Sequence, residues 1–138
     1  MQKLLAVLFI SLFPLSSHAF CFEEAGQRYA VSPQLLWAIA KAESSLNPSA
    51  VNHNRNGTMD VGLMQVNSLW ADQLGPTWDY LHDPCTNVMA GAWILSQCVR
   101  DYGYTWQAVG CYHSRTPSRR DAYAGRIAAI LKEAGSVR

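Results

Sequence analysis

Apolar residues recur at intervals of three and four along most of this chain, the spacing that lines one face of an α-helix. The exception is the beginning, where a continuous apolar run extends from Leu4 to Leu15, broken only by Ser11 and Pro14. Phe22 to Tyr29 then reads as a short first helix. Ser32-Pro33 supplies an N-cap and a proline for the first helical position, opening a second helix that carries Leu35, Leu36, Ile39 and Ala40. Asn47-Pro48 stops it shortly after Glu43. Val51 to Asp60 is polar, and its Asn56-Gly57 turn signal can support a small hairpin. Asp83-Pro84 starts what reads as the longest helix, with Val88, Ala92, Leu95, Val99 and Tyr102 on one stripe and Gly103 as its stop. Thr105 caps a short helix through Val109 to about His113. Ser118 caps a final helix bearing Tyr123, Ile127, Ile130 and Ala134, ended by Gly135. The pattern predicts a mainly α fold, α+β if the hairpin forms, with one polar loop or hairpin between the second and third helices.

The opening run changes the reading of where the chain works. Lys3, the apolar run and Ser17-His18-Ala19 have the charged, apolar and small-residue layout of a secretory signal cleaved after Ala19. The run is too short to span a bilayer comfortably, which takes about 20 such residues. Phe20 is too bulky for the position before a lipid-modified cysteine. Residues 20–138 then form one domain large enough for a core. Formal net charge for the whole chain is +1, which gives nucleic acid little hold. The charge is uneven, with eight acids against four bases from Phe20 to Asp101 and six bases against two acids from Arg115 to Arg138. Four cysteines, Cys21, Cys85, Cys98 and Cys111, follow the signal. An even number in an exported chain predicts two disulfides, and none of their spacings suits zinc. Cys85 and Cys98 share a helix about 20 Å apart at 1.5 Å per residue, too far to bond. Of the two connectivities left, Cys98–Cys111 with Cys21–Cys85 is favoured, because an antiparallel helix pair about the Gly103–Thr105 turn brings Cys98 and Cys111 together.

Glu43 stands out chemically. It falls four residues after Ile39 and seven after Leu36, on the buried stripe of its helix. It also lies near the helix C-terminus, whose partial negative charge disfavours an anion. Both effects raise a carboxyl pKa and suit a general acid, although a Glu fanning outward from a fraying end would occupy the same position. Two further segments, Gly62-Leu63-Met64-Gln65-Val66-Asn67 and Ala108-Val109-Gly110-Cys111-Tyr112-His113, read singly as core-edge packing. Asn52, Asn54, Asn56 and Gly57 imitate the start of a calcium loop, but the final acidic ligand would fall at Leu63, so the site fails. No metal and no organic cofactor is implied. Trp37 and Trp93 read as core, whereas Trp70, Trp78 and Trp106 are nearer loops, where a sugar-stacking role is open to them.

In combination these segments carry a resemblance. Glu43-Ser44-Ser45 with Asn47-Pro48, the Gly62–Gln65 run, and a small-residue helix containing Tyr112 resemble the lytic transglycosylases of the soluble-lytic, goose-lysozyme-like type. Asp83-Pro84, Asn87, Ala90-Gly91 and Tyr123 fit the same pattern, which runs from about Phe22 to Leu131. The small size, the cysteines and the Gly57–Ser68 stretch resemble the subgroup that accompanies type III secretion, conjugation or type IV secretion, and pilus machines. The resemblance implies a lysozyme-like helical domain in the periplasm, acting as a monomer on peptidoglycan glycan strands. It implies that Glu43 protonates the bond between N-acetylmuramic acid and N-acetylglucosamine and then deprotonates the muramic C6 hydroxyl, leaving a 1,6-anhydro end. Ser44 would hold the Glu43 carboxyl, Gln65 and Asn67 would bind sugar, and Tyr112 would sit over the reacting ring. The chain departs from the pattern at His113, where the family more often has Asn. Asp60, 17 residues after Glu43, resembles the second carboxylate of animal-type lysozymes and would be an auxiliary catalytic group, or else a residue ending a turn. A hydrolytic muramidase and a non-catalytic glycan-binding scaffold are the alternatives.

Overall fold

The computed structural model describes residues 20–136; the expected signal, residues 1–19, lies outside them. Six α-helices and a small sheet make up the described chain, the mainly α architecture that the residue pattern predicts. Helix α1 is Phe22–Tyr29 and α2 is Pro33–Ser44. A three-residue strand pair, β1 (Val51–His53) and β2 (Met59–Val61), forms the hairpin, and β3 (Val66–Asn67) adds a third antiparallel strand beside β2. A string of short turns follows: a 3-10 turn at Ser68–Trp70, α3 at Ala71–Leu74 and another 3-10 turn at Gly75–Tyr80. Helices α4 (Pro84–Tyr102), α5 (Trp106–Cys111) and α6 (Pro117–Ser136) complete the fold.

The helix starts follow from local chemistry. The Ser32 hydroxyl accepts from Leu35 N–H, an Asp83 oxygen from Thr86 N–H, and the Thr105 hydroxyl from Ala108 N–H, each replacing a missing intrahelical partner. Helix α2 ends in two successive left-handed residues, Ser45 (φ 53°) and Leu46 (φ 64°), which turn the chain sharply away just after Glu43. Four sequence expectations need correction. Helix α6 begins at Pro117, so Ser118 lies inside it and does not cap it. Helix α6, at 20 residues, is one residue longer than α4. Gly135 does not stop it, because it stands in open surroundings where a helical glycine costs only about 1 kcal/mol relative to Ala. Helix α5 also ends at Cys111, so Tyr112 and His113 lie in the turn beyond it.

Helices α1, α2, α4 and α6 enclose the main core, centred on Leu36, Ile39, Val88, Leu95 and Ile127. A second cluster, Val61, Val66, Leu81, Ala90 and Ile94, lies between the sheet and α4, with Trp70, Trp78 and Trp93 packed against it. Helices α5 and α6 approach so closely that a Cβ on Gly110 would fall 2.1 Å from the Arg120 carbonyl oxygen. Cys21–Cys85 bonds the entry of α1 to the first turn of α4, and Cys98–Cys111 bonds α4 to α5.

One irregular segment, Gly62–Gln65, is buried between these cores. Buried peptide groups need partners, and here α4 supplies them from Asn87, itself fully buried. Its Oδ1 accepts from Met64 N–H at 2.7 Å, and its Nδ2 donates to the carbonyls of Val61 at 2.8 Å and Leu81 at 2.9 Å. Gly62 has φ 79°, and a Cβ there would fall 2.2 Å from Asn87 Nδ2, so glycine is needed for both reasons. Asn87→Ala should therefore strand one donor and two acceptors and destabilise the fold by about 3 kcal/mol. Urea unfolding that gave a loss below about 1 kcal/mol would show that these bonds are readily replaced.

Candidate active site

A cleft of about 520 Å³ runs between the sheet and the turn after α5, and Glu43, Asp60, Gln65, Asn67, Tyr112 and His113 all line it. Residues separated by as much as 70 positions thus meet on one surface. Each arrives by a different element. Glu43 comes from the last turn of α2, Asp60 from the middle of β2, Asn67 from β3, and Tyr112 and His113 from the turn beyond α5.

Glu43 is half-buried, and its Oε1 accepts a 2.5 Å hydrogen bond from the Tyr123 hydroxyl of α6. Burial raises the Glu43 pKa above the ordinary carboxyl value. The Tyr123 bond and the Arg126 charge pull it back, the Asp60 charge pushes it further up, and the net shift is upward. Burial, then the neighbouring Glu43 charge, pushes the Tyr123 hydroxyl far up as well, so Tyr123 keeps its proton and acts as a donor. The His113 ring lies parallel on Tyr123, with centroids 4.9 Å apart and planes 5° apart. Tyr112 is oriented the other way, its hydroxyl donating at 2.8 Å to the Met64 carbonyl.

Asp60 sits at the centre of a polar row. In register it lies opposite Asn52 of β1 and Asn67 of β3. Its Oδ1 accepts from Asn67 Nδ2 at 2.7 Å and its Oδ2 from Asn54 Nδ2 at 2.9 Å, which fixes the carboxyl plane in the cleft wall.

The structure corrects one expected role and narrows two. Ser44 does not hold the Glu43 carboxyl. Its hydroxyl donates to the Leu63 carbonyl at 2.6 Å, because that buried carbonyl has to be satisfied and Ser44 points toward it. Gln65 and Asn67 reach the cleft with both amide hydrogens of each already bonded. Gln65 Nε2 donates to Ala50 and Gly62 carbonyls, and Asn67 Nδ2 to Thr58 and Asp60. Each amide oxygen also accepts one bond already, Gln65 Oε1 from Asn52 Nδ2 and Asn67 Oδ1 from Leu69 N–H, so each retains for a ligand only one further acceptor site. The residue whose role the sequence did not reveal is Tyr123, which reads there as a position on the α6 stripe and as part of the family resemblance, with no role attached. The available signal was its hydroxyl, since a buried tyrosine needs a polar partner. Of the tryptophans, Trp70 lines the cleft and packs edge-to-face on Trp93, whereas Trp106 lies outside it and is half exposed. Cys21, Glu24 and Cys85 are close enough to share a metal, but the two sulfurs are joined in the disulfide.

Residues 20–126 match the transglycosylase SLT domain family. Among curated proteins, the chain is 40% identical over 119 residues to the invasion protein IagB of Salmonella typhimurium strain SL1344, covering 83% of this chain and 74% of that one. It is 37% identical over 117 residues to protein IpgF of Shigella flexneri, covering 82% and 77%. It is 34% identical over 134 residues to an X polypeptide of Escherichia coli, covering 90% and 79%.

The raised pKa of Glu43 has a consequence for stability that does not depend on any activity. The folded protein holds this proton to higher pH than the unfolded chain, so the contribution of Glu43 is fully present below the ordinary value of 4.5 and is lost as pH rises through the folded value. Glu43→Gln should therefore be more stable than the wild type at pH 7, with the difference shrinking toward zero near pH 4. Denaturation midpoints at the two pH values check this; a gain of equal size at both would mean that burial does not raise this pKa.

Proposed function

Because this chain belongs to the transglycosylase SLT domain family, and so has a lytic-transglycosylase-like function directed at peptidoglycan, we propose that it is a lyase with Glu43 as its acid and base. The observation that carries this reading is the environment of Glu43: a carboxyl on the wall of the cleft, raised in pKa by burial and met by a protonated hydroxyl.

The chemistry follows from that environment. The protonated carboxyl gives its proton to the glycosidic oxygen as the bond from muramic C1 breaks, and positive charge grows on C1 and the ring oxygen. Glu43 is then an anion, the form that the Tyr123 bond and the Arg126 charge favour. It takes the C6 hydroxyl proton while that oxygen closes onto C1, giving the 1,6-anhydro ring and restoring the acid. No water is consumed. The C6 hydroxyl is held within the same sugar, so its effective concentration exceeds that of any water reaching the site. Asp60, fixed by two asparagine amides, adds negative charge to the cleft wall as the oxocarbenium ion develops. Tyr112 shapes the wall over the reacting ring, with its hydroxyl tied to backbone.

In the cell this activity would open the wall locally for a secretion, conjugation or pilus machine, after export to the periplasm by the signal. One relative is named an invasion protein, which is in keeping with that setting. No helix among the described residues is long and apolar enough to cross a membrane. The second reading, a hydrolytic muramidase, draws its support from Asp60 in the cleft.

Glu43→Gln should fold and lose wall-lytic activity by at least ~10²-fold, measured as solubilisation of purified sacculi. A folded variant with near wild-type activity would remove Glu43 from the mechanism. Mass spectrometry of the wild-type digest should find anhydro ends; products one water heavier, with reducing muramic ends, would make the enzyme a hydrolase. Asp60→Asn should slow turnover without changing the product, and an unchanged rate would return Asp60 to a purely architectural role.

A further inference from the structure

The cleft makes no use of Trp106. This side chain stands at the start of α5, 53% exposed, with open space on more than one side of its indole. One hollow, of about 300 Å³, lies toward Leu35 and Tyr104, and another, of about 400 Å³, lies in the seam between α5 and α6. No ring pair and no cation–π contact among the described residues includes Trp106. Trp70 and Trp93, by contrast, pack on each other.

The seam hollow has the make-up of a sugar site. Beside Trp106 it is lined by Ala124, Gly125 and Ala128, small enough to let a ring approach the indole, and by the exposed Gln107 and Asp121. A Cβ on Gly125 would meet no atom within 4 Å, so the space is open there. A pyranose has apolar C–H faces and a circumference of hydroxyl and amide groups. It needs an aromatic plane for the first and mixed donors and acceptors for the second. The indole supplies the plane, the Gln107 amide both donates and accepts, and Asp121 accepts. Asp121 Oδ1 already takes Arg120 Nε–H at 2.8 Å, which steadies the carboxylate and leaves its second oxygen for a hydroxyl. An apolar segment would cover Gln107 and Asp121 without giving them partners. Within peptidoglycan the same carboxylate favours the uncharged N-acetylglucosamine ring over the muramic ring with its lactyl group.

The hollow looks away from Glu43. Gly125 follows Tyr123 by two residues, which turns it about 200° around the α6 axis at 100° per residue. A strand seated against Gly125 is therefore not the strand that passes Glu43. We propose that Trp106, Gln107 and Asp121 form a second glycan site, which holds an N-acetylglucosamine ring of a neighbouring strand while the cleft holds another. A cell wall presents many strands on one particle, so two weak sites on one molecule retain it longer than either alone. The proposal rests on peptidoglycan as the substrate of the family and not on the chemistry of Glu43.

Two variants address the site independently. Trp106→Ala removes the plane. Gly125→Leu fills the hollow, and because its Cβ has room and leucine is the better helix former, it should fold as well as the wild type. In co-sedimentation with purified sacculi on ice, each variant should bind about threefold to tenfold more weakly, the range of contact with one aromatic face. Chitotetraose, an uncharged N-acetylglucosamine oligomer, should shift the indole N–H resonance of Trp106 in isotope-labelled protein, the resonance being assigned by its loss in Trp106→Phe. Gly125→Leu should abolish that shift and leave the response of Trp70, which reports the main cleft, in place. A Trp106 resonance unmoved by millimolar chitotetraose would overturn the proposal. So would sacculus binding that is unchanged in both variants, or weakened by Trp106→Ala alone. Failure here leaves binding in the cleft and the lyase assignment untouched, whereas a protein that shows both shifts yet cuts no strands keeps the second site and loses the lyase assignment.

Discussion

Everything in this fold that touches the cleft depends on one requirement: the peptide groups of the buried turn Gly62–Gln65 must find partners away from water. Backbone carbonyls of Ala50 and Gly62 take the N–H groups of Gly62 and Gln65, and side chains serve the groups between them. Ser44 at the end of α2 takes the Leu63 carbonyl, Asn87 of α4 takes the Met64 N–H, and Tyr112 beyond α5 takes the Met64 carbonyl. An unmade bond of this kind costs about 1–3 kcal/mol, so the three elements are held in register with the turn and hence with one another. The geometry of the cleft follows. Glu43 is the residue before Ser44, the turn runs directly into β3 with Asn67, and Asn67 fixes Asp60.

Around Glu43 the structure sets opposing influences against each other. Burial favours the neutral carboxyl, while Tyr123 and Arg126 favour the anion. A residue used once as a pure acid would gain from burial alone. A residue that must give a proton and then take one back benefits from an environment that disfavours neither form heavily. Tyr123 can fill this role because burial and its charged neighbour keep its own proton in place.

Much of this was legible in the residue pattern and some was not, for a physical reason. Caps act within a few residues, so Ser32, Asp83 and Thr105 announce their helices directly. The three-four spacing exposes the core faces in the same local way, and it placed Glu43 on a buried stripe. The pairings that build the cleft are not local. Tyr123 reaches Glu43 across 80 positions, Tyr112 reaches Met64 across 48, and Ser44 reaches Leu63 across 19. Nothing in the neighbourhood of Ser44 distinguishes a hydroxyl turned toward Glu43 from one turned toward a carbonyl of another segment. The third strand and the short turns at 68–80 escaped for a related reason: two or three residues are too few to show a period.

The two disulfides link cysteines that are consecutive in chain order, Cys21 to Cys85 and Cys98 to Cys111. Of the possible connectivities of four cysteines, this is the one produced when each thiol is oxidised with the next to emerge. A polypeptide threaded amino end first into an oxidising compartment can therefore acquire its native bridges in the order of translocation. If the chain is exported as proposed, its maturation would call for an oxidant, with no need for an isomerase to reshuffle wrong pairs.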